Sequence, residues 1–197
     1  MANIIDNLIA EHRRLEGLVR LLERQSTLRD AQAAANSALV VDALYYLTQF
    51  PDVNHHALEN RIIGKLLEKN ALAHELGSEL SAQHAALALH GHELIQDIES
   101  LMRDENMSRE LLEFRIRLYA ERLRHNMAFE ELAIFPIATR HLESDEWAAI
   151  WQASPIRSAD PLFQTPVHER FVQLHHVIAA EADCGCQAAA TIRRSQP

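Results

Sequence analysis

Apolar residues recur at three- and four-residue spacing along most of the chain, the period of helices that bury one face. The first series is Ile5, Leu8, His12, Leu15, Val19 and Leu22, which puts His12 in a core-facing slot. Asn3 supplies a side-chain cap and Asp6 an acid in the first turn, so a helix is expected from there to about residue 25. A second series begins around Asp30 to Asn36 and carries Leu39, Val40, Ala43, Leu44 and Leu47. Pro51 interrupts it, and the period resumes through His55, Glu59, Ile62, Ile63, Leu66 and Leu67. Proline inside a helix removes a donor and kinks the chain, so this is one kinked helix or two end to end, with the kink placed to aim His55 and Glu59.

The third helix is predicted from Ala71 to about Met102, with Leu80, His84, Leu87, Gly91, Leu94, Ile98 and Leu101 on one face. After a polar link, Ser108 opens a fourth, whose inward positions are Leu112, Ile116, Tyr119, Leu123, Met127, Glu130, Ile134 and Ile137. The character changes beyond His141. Ser144 to Trp151 reads as a short helix, with Trp147 and Trp151 capping the bundle end. Prolines 155, 161 and 166 mark an irregular connection, and Val167 to about Asp183 reads as a last helix with Phe171, Leu174 and Ile178 inward. The fold class is therefore all-α: a four-helix bundle over residues 1–143, and a C-terminal extension over 144–197 whose short helices pack on the bundle before a frayed tail.

Composition agrees with this and narrows the function. Among 197 residues only five are glycine and six proline, which suits helix, and the length is enough for one substantial core. A formal charge of −9 argues against nucleic acid or an anionic membrane as partner. Charges interrupt the N-terminal apolar residues at once, and no apolar run approaches a bilayer span, so a cytoplasmic protein is expected. The two cysteines, Cys184 and Cys186, are too close for a loop-closing disulfide and read as part of an exposed tail.

Histidine is what changes the picture, with twelve in the chain. His55 and Glu59 lie four residues apart, about one turn, so both can grip one ion from one helix face. His12 and His84 occupy apolar stripes on two other helices, and His125 and Glu130 bring imidazole and carboxylate together on the fourth. Buried imidazoles and carboxylates need partners to offset desolvation, and a metal supplies one in common. Mixed nitrogen and oxygen donors suit iron, manganese or zinc. His56 and Glu131 sit one residue off these faces and read as hydrogen-bonding supports or surface, and His168, His175 and His176 as a solvated face.

The segments Glu11-His12, His55-His56-Ala-Leu-Glu59-Asn60, Gln83-His84 and His125-Asn-Met-Ala-Phe-Glu130-Glu131, the last running on to Ile134-Phe-Pro136, together resemble the hemerythrin-like, cation-binding (HHE) family of bacterial type. The resemblance covers residues 1 to about 140, and Asp160-Pro-Leu-Phe163 resembles one bacterial branch. It implies an antiparallel four-helix bundle with a non-haem, carboxylate-bridged di-iron centre. Of its metal ligands, His12, His55, Glu59, His84 and Glu130 match by position, with the two glutamates as bridges, and His125 is the sixth candidate. Two positions depart from the pattern. Where oxygen carriers place another histidine four residues after the one on the third helix, this chain has Ala88. Where this branch places a histidine four before the glutamate, it has Asn126. On a regular helix His125 lies about 140° from Glu130 and Asn126 about 40°. A π-bulge between them would bring His125 round. We expect that bulge; a regular helix would point Asn126 inward instead.

The functions implied are binding or sensing of dioxygen or nitric oxide, or the handling of iron. A small diatomic ligand, O2 or NO, is then the partner, with a homodimer left open. A ferritin-like enzyme builds its centre from Glu-x-x-His pairs, which this chain lacks. Any activity would be di-iron redox chemistry rather than that of a classical enzyme. The competing reading is a metal-depleted helical bundle serving as a regulatory or interaction module.

Overall fold

The computed structural model describes residues 4–26, 33–103, 108–153 and 160–181. The predicted cap at Asn3 and the Cys184–Cys186 tail lie outside these described residues. All the regular structure described is helical: α1 (Ile4–Ser26), α2 (Ala33–Phe50), α3 (His56–Glu68), α4 (His74–Met102), α5 (Arg109–Phe129), α6 (Phe135–His141), α7 (Ser144–Ala153) and α8 (Val172–Glu181). Two single π-turns interrupt the long helices: Pro51–His55 between α2 and α3, and Glu130–Ile134 between α5 and α6. The sequence therefore carries two helices end to end through Pro51, joined by a wide turn rather than a break. Among the described residues, no helix is long and apolar enough to cross a membrane.

α1 packs on α2 and α5, and α4 packs on α2 and α5, which closes a ring of four. Neighbours run in opposite directions. Going up α4, His84 meets Glu130 and Asp97 meets Arg115, so α5 descends as α4 rises. The predicted stripes are the buried ones: Leu8, Leu15, Val19 and Leu22 on α1, Val40, Ala43, Leu44 and Leu47 on α2, and Leu80, Leu87, Leu94 and Ile98 on α4. Ser108 caps α5 as expected, its Oγ accepting from the Leu111 N–H at 3.1 Å. Gly91 has a packing reason, because α4 crosses α2 there so closely that a β-carbon would collide with the Thr48 methyl.

The π-turn in α5–α6 moves the stripe. Leu112, Ile116, Tyr119, Leu123, Met127, Glu130 and Ile134 are buried as predicted, but beyond them it is Phe135 and Ala138 that face in. Ile137 is only partly buried. An i→i+5 turn takes in one residue more than an α-turn, so every later position is rotated off the period extrapolated from upstream.

By Cα packing the chain divides into two compact units, Met1–Ser158 and Ala159–Pro197. α7 lies within the first. Its Ile150 and Trp147 join the apolar cluster of Leu8, Leu58, Ile62, Leu66, Leu80, Ile134 and Phe135. Trp147 thus packs on that end, whereas Trp151 remains 45% exposed. In the second unit Asp160 organises its own turn, accepting from the N–H groups of Leu162 and Phe163 at 2.9 and 2.8 Å. Leu162, Phe171 and Leu174 are buried there, and Ile178 is half-buried. His175 is not wholly solvated, since its Nδ1 donates to the Leu162 carbonyl at 2.9 Å.

Candidate metal centre

The two π-turns flank the polar cluster inside the ring. Pro51 has no N–H to give the preceding turn, and the chain answers with an i→i+5 bond from His56 N–H to the Pro51 carbonyl. Adjacent residues on a regular helix point about 100° apart, and only one of the two commonly faces a core. Here the wide turn leaves Asn54, His55 and His56 buried in succession, and Glu59 follows one turn on. On α5 the Glu130 N–H still bonds the Asn126 carbonyl in α fashion, and the wide turn begins only at Glu130.

Three imidazoles converge on two carboxylates. His55 Nε2 lies 3.0 Å from Glu59 Oε1, and His12 Nε2 lies 3.4 Å from Glu59 Oε1 and 3.3 Å from Glu130 Oε2. His12 Nε2 and His55 Nε2 are 2.9 Å apart. From the far side His84 Nε2 sits 2.9 Å from Glu130 Oε1 and 3.6 Å from Glu59 Oε2. All five residues are at least 94% buried, and Glu130 is completely so. Phe135 stacks on His12 and closes the apolar side, its ring centroid 5.6 Å away.

Both Glu59 oxygens and Glu130 Oε2 are buried without a hydrogen bond in alignment. A buried carboxylate with no compensation costs several kcal/mol, so an arrangement like this calls for positive charge between its donors. In the metal-free chain protons supply it. Burial alone would lower His12, but the carboxylates of Glu130 and Glu59 outweigh it and raise its pKa from 6.5 to about 9. Burial likewise opposes the charge on His55, and Glu59 with Glu11 carries it up to about 10. Burial would push Glu59 up, yet His55 and His12 hold it well below its ordinary 4.5.

The outer nitrogens fix the rings. His12 Nδ1 donates to Glu131 Oε1 at 2.8 Å, and His55 Nδ1 donates to Glu11 Oε2 at 2.7 Å. An ionised carboxylate only accepts, so each Nδ1 carries its proton, and each neutral ring would aim an Nε2 lone pair into the cluster. Four residues, His12, His55, Glu59 and Glu130, thereby bring ligand atoms within 4.8 Å of one another, and His56, Glu59 and His84 form a second such group. Imidazole nitrogen and carboxylate oxygen, buried and short of hydrogen bonds, fit a borderline transition-metal ion.

The structure brings His12, His55, Glu59, His84 and Glu130 together and leaves His125 apart. His125 is exposed and lines a surface groove with Gln83, Leu87 and Arg122. Asn126 takes the inward position, 1% exposed, with Nδ2 donating to Glu130 Oε1 at 3.0 Å. The expected bulge exists but lies downstream of Glu130. The turn between residues 126 and 130 stays regular, and a regular turn points Asn126 inward. Three further residues complete the surroundings: Glu131, read from the sequence as a support or surface residue, is a support; His56, read the same way, is buried in the cluster; and Glu11 was given no role. His56 is 6% exposed and stacked face to face on His84, with ring centroids 4.1 Å apart. Its signal was available, because it stands three residues before Glu59 as His55 stands four. Glu11 and Glu131, each adjacent to a cluster residue, clamp rings on other helices. No local spacing reveals such contacts.

Against known families, a model described as Hemerythrin HHE cation binding domain matches residues 3–138, about two thirds of the chain. That span contains every residue of the cluster. No curated protein and no solved structure gives a match.

Proposed function

The chain belongs to the hemerythrin HHE cation-binding domain family, and from that premise we propose that it is a non-haem di-iron protein that binds or senses dioxygen or nitric oxide, or handles iron. The observation that carries this reading is the pair of buried carboxylates, Glu59 and Glu130, which face three imidazole nitrogens and three of whose four oxygens lack a hydrogen bond. His12, His55, His84, Glu59 and Glu130 would hold the metal, with zinc or manganese able to substitute. When bound, iron supplies reversible redox change and open positions for a small ligand.

The chain's own part is to bring five donors together and to keep the pocket dry. Glu131 and Glu11 fix the tautomers of His12 and His55. Leu8, Leu58, Ile134 and Phe135 shield one end from water. Asn126, a neutral amide where an imidazole was expected, donates to Glu130 and leaves one position fewer filled by protein. The same residue favours the second reading, a metal-depleted bundle acting as a regulatory or interaction module.

The test is the metal content of protein purified without chelator or affinity-tag metal, with its ultraviolet–visible spectrum. About two irons per chain with an oxo-to-iron charge-transfer band supports the proposal. A chain that stays metal-free after anaerobic ferrous loading favours the second reading.

A further inference from the structure

We propose that His56 is a metal ligand in its own right, supplying the second imidazole on the His84 side of the centre. The inference rests on the di-iron reading and concerns how its poorer side is completed. α4 gives only His84 to that side, because one turn further on it carries Ala88. α5 gives Asn126, whose amide is engaged with Glu130. Among the described residues the remaining imidazole within reach belongs to His56, whose ligand atom lies within 4.8 Å of those of both Glu59 and His84.

The placement follows from the chain. His55 and His56 stand four and three residues before Glu59, so both lie about one turn from its carboxylate but on opposite flanks of it. His55 turns toward α1, where it meets His12 and Glu11. His56 turns toward α4, where its ring lies 14° from parallel with that of His84. The Pro51–His55 π-turn is what makes two adjacent inward histidines compatible with the helix that follows. Glu59 faces both flanks: Oε1 is 3.0 Å from His55 and Oε2 is 3.6 Å from His84.

His56→Phe keeps a planar ring for the stack on His84 and removes both nitrogens. In anaerobic ferrous titration the parent is expected to take up two equivalents. The variant is expected to keep the first and to weaken the second by at least about tenfold, the least expected when even a ligand's hydrogen-bond partner is lost. With Mn(II) as probe, pulsed EPR should count one histidine nitrogen fewer. A variant that takes both equivalents at parental affinity with an unchanged nitrogen count overturns the proposal and leaves His56 a packing residue. His55→Ala, run alongside, separates the layers. If it too is silent, the di-iron reading itself fails; if it loses metal while His56→Phe does not, only the role of His56 falls. Circular dichroism of the metal-free samples checks folding, and His56→Gln carries the same comparison should the phenylalanine not be accommodated.

Discussion

On one side of the centre, His12 and His55 each give an Nδ1–H to a carboxylate, Glu131 and Glu11, and turn Nε2 inward. On the other, His84 Nδ1 is buried with no hydrogen-bond partner, and Nε2 is committed to Glu130 at 2.9 Å. A carboxylate accepts only, so in the metal-free chain a neutral His84 carries its proton on Nε2, where a metal would have to bind. The first side is set in the ligand tautomer; the second must change tautomer and then leave an Nδ1–H buried. Equal residue types thus do not make equal sites. What distinguishes them is the acceptor behind each ring, a factor that changes metal affinity about 10- to 100-fold. We expect the His12–His55 side to fill first.

The largest effect should come from the residue both sides share. Glu59→Ala removes the carboxylate that faces His12, His55 and His84, and should abolish most metal binding on both sides. His55→Ala should strip the first side and leave at most weak occupancy of the second. Both variants should remain helical, because the apolar stripes of the ring carry the fold. Metal analysis with circular dichroism decides it, and full occupancy in both variants would place the site elsewhere.

Next in size is the effect of the acceptors themselves. Glu11→Gln and Glu131→Gln keep the side-chain shape but remove the charge behind His55 and His12. Each should weaken the first equivalent by about 10- to 100-fold and leave the second nearly unchanged. An equal loss in both equivalents would break the comparison, since it would mean that the two sides are not held independently.

Proton competition should scale with pH on the first side. His12 and His55 have native pKa values raised to about 9 and about 10. A raised value means that the native state binds the proton more tightly than the unfolded one. Their contribution to metal-free stability is therefore complete below the ordinary 6.5 and lost as pH rises through about 9 to 10. Glu59, held low, contributes above its ordinary 4.5 and ceases to do so on acidification below it. A metal must displace the histidine protons, so its affinity climbs over the same range in which the metal-free protein weakens. The melting temperature gained on loading with buffered zinc should widen steadily from pH 6 to pH 9. A constant gain would mean that the ion does not replace these protons.

Much of this was legible in the chain because a helix repeats. The stripes through Leu8, Leu44, Leu94 and Ile116 follow from a 3.6-residue period, and the same period carries His12, Glu59, His84 and Glu130 to one level of the ring. What the period cannot supply is a change of period. Pro51 announces its π-turn, since a missing donor has a local cause. Glu130–Ile134 holds no proline of its own, and the nearest missing donor is Pro136, which stands after the turn at the start of α6 rather than within it. The inward positions past Ile134 were accordingly extrapolated to Ile137 where the chain buries Phe135 and Ala138. His56 was assigned off-face by the same α-helical arithmetic, one residue after a turn that is not α. Glu131 was legible as a support but not the ring it holds, and Glu11 not at all, since each holds a ring on a different helix.

The smallest expected effect concerns residues 125 and 126, and it tests the poorer side directly. Asn126 is buried beside Glu130, and its amide donates a hydrogen bond where an imidazole could offer a lone pair. His125, one position earlier, faces the groove with Gln83 and Arg122. The turn that joins Asn126 to Glu130 is regular, with the Glu130 N–H on the Asn126 carbonyl, so a side chain at 126 cannot avoid the centre. Asn126→His should therefore strengthen the second equivalent, by less than the loss expected from His56→Phe because His84 would still lack an acceptor. His125→Ala should leave both equivalents unchanged. The opposite pair of results, a loss with His125→Ala and none of the gain with Asn126→His, would require the π-turn to slide upstream of Glu130 when metal binds. Hydrogen exchange at the Glu130 amide, slow while its α-type bond to Asn126 persists, would register that slide independently of any metal assay.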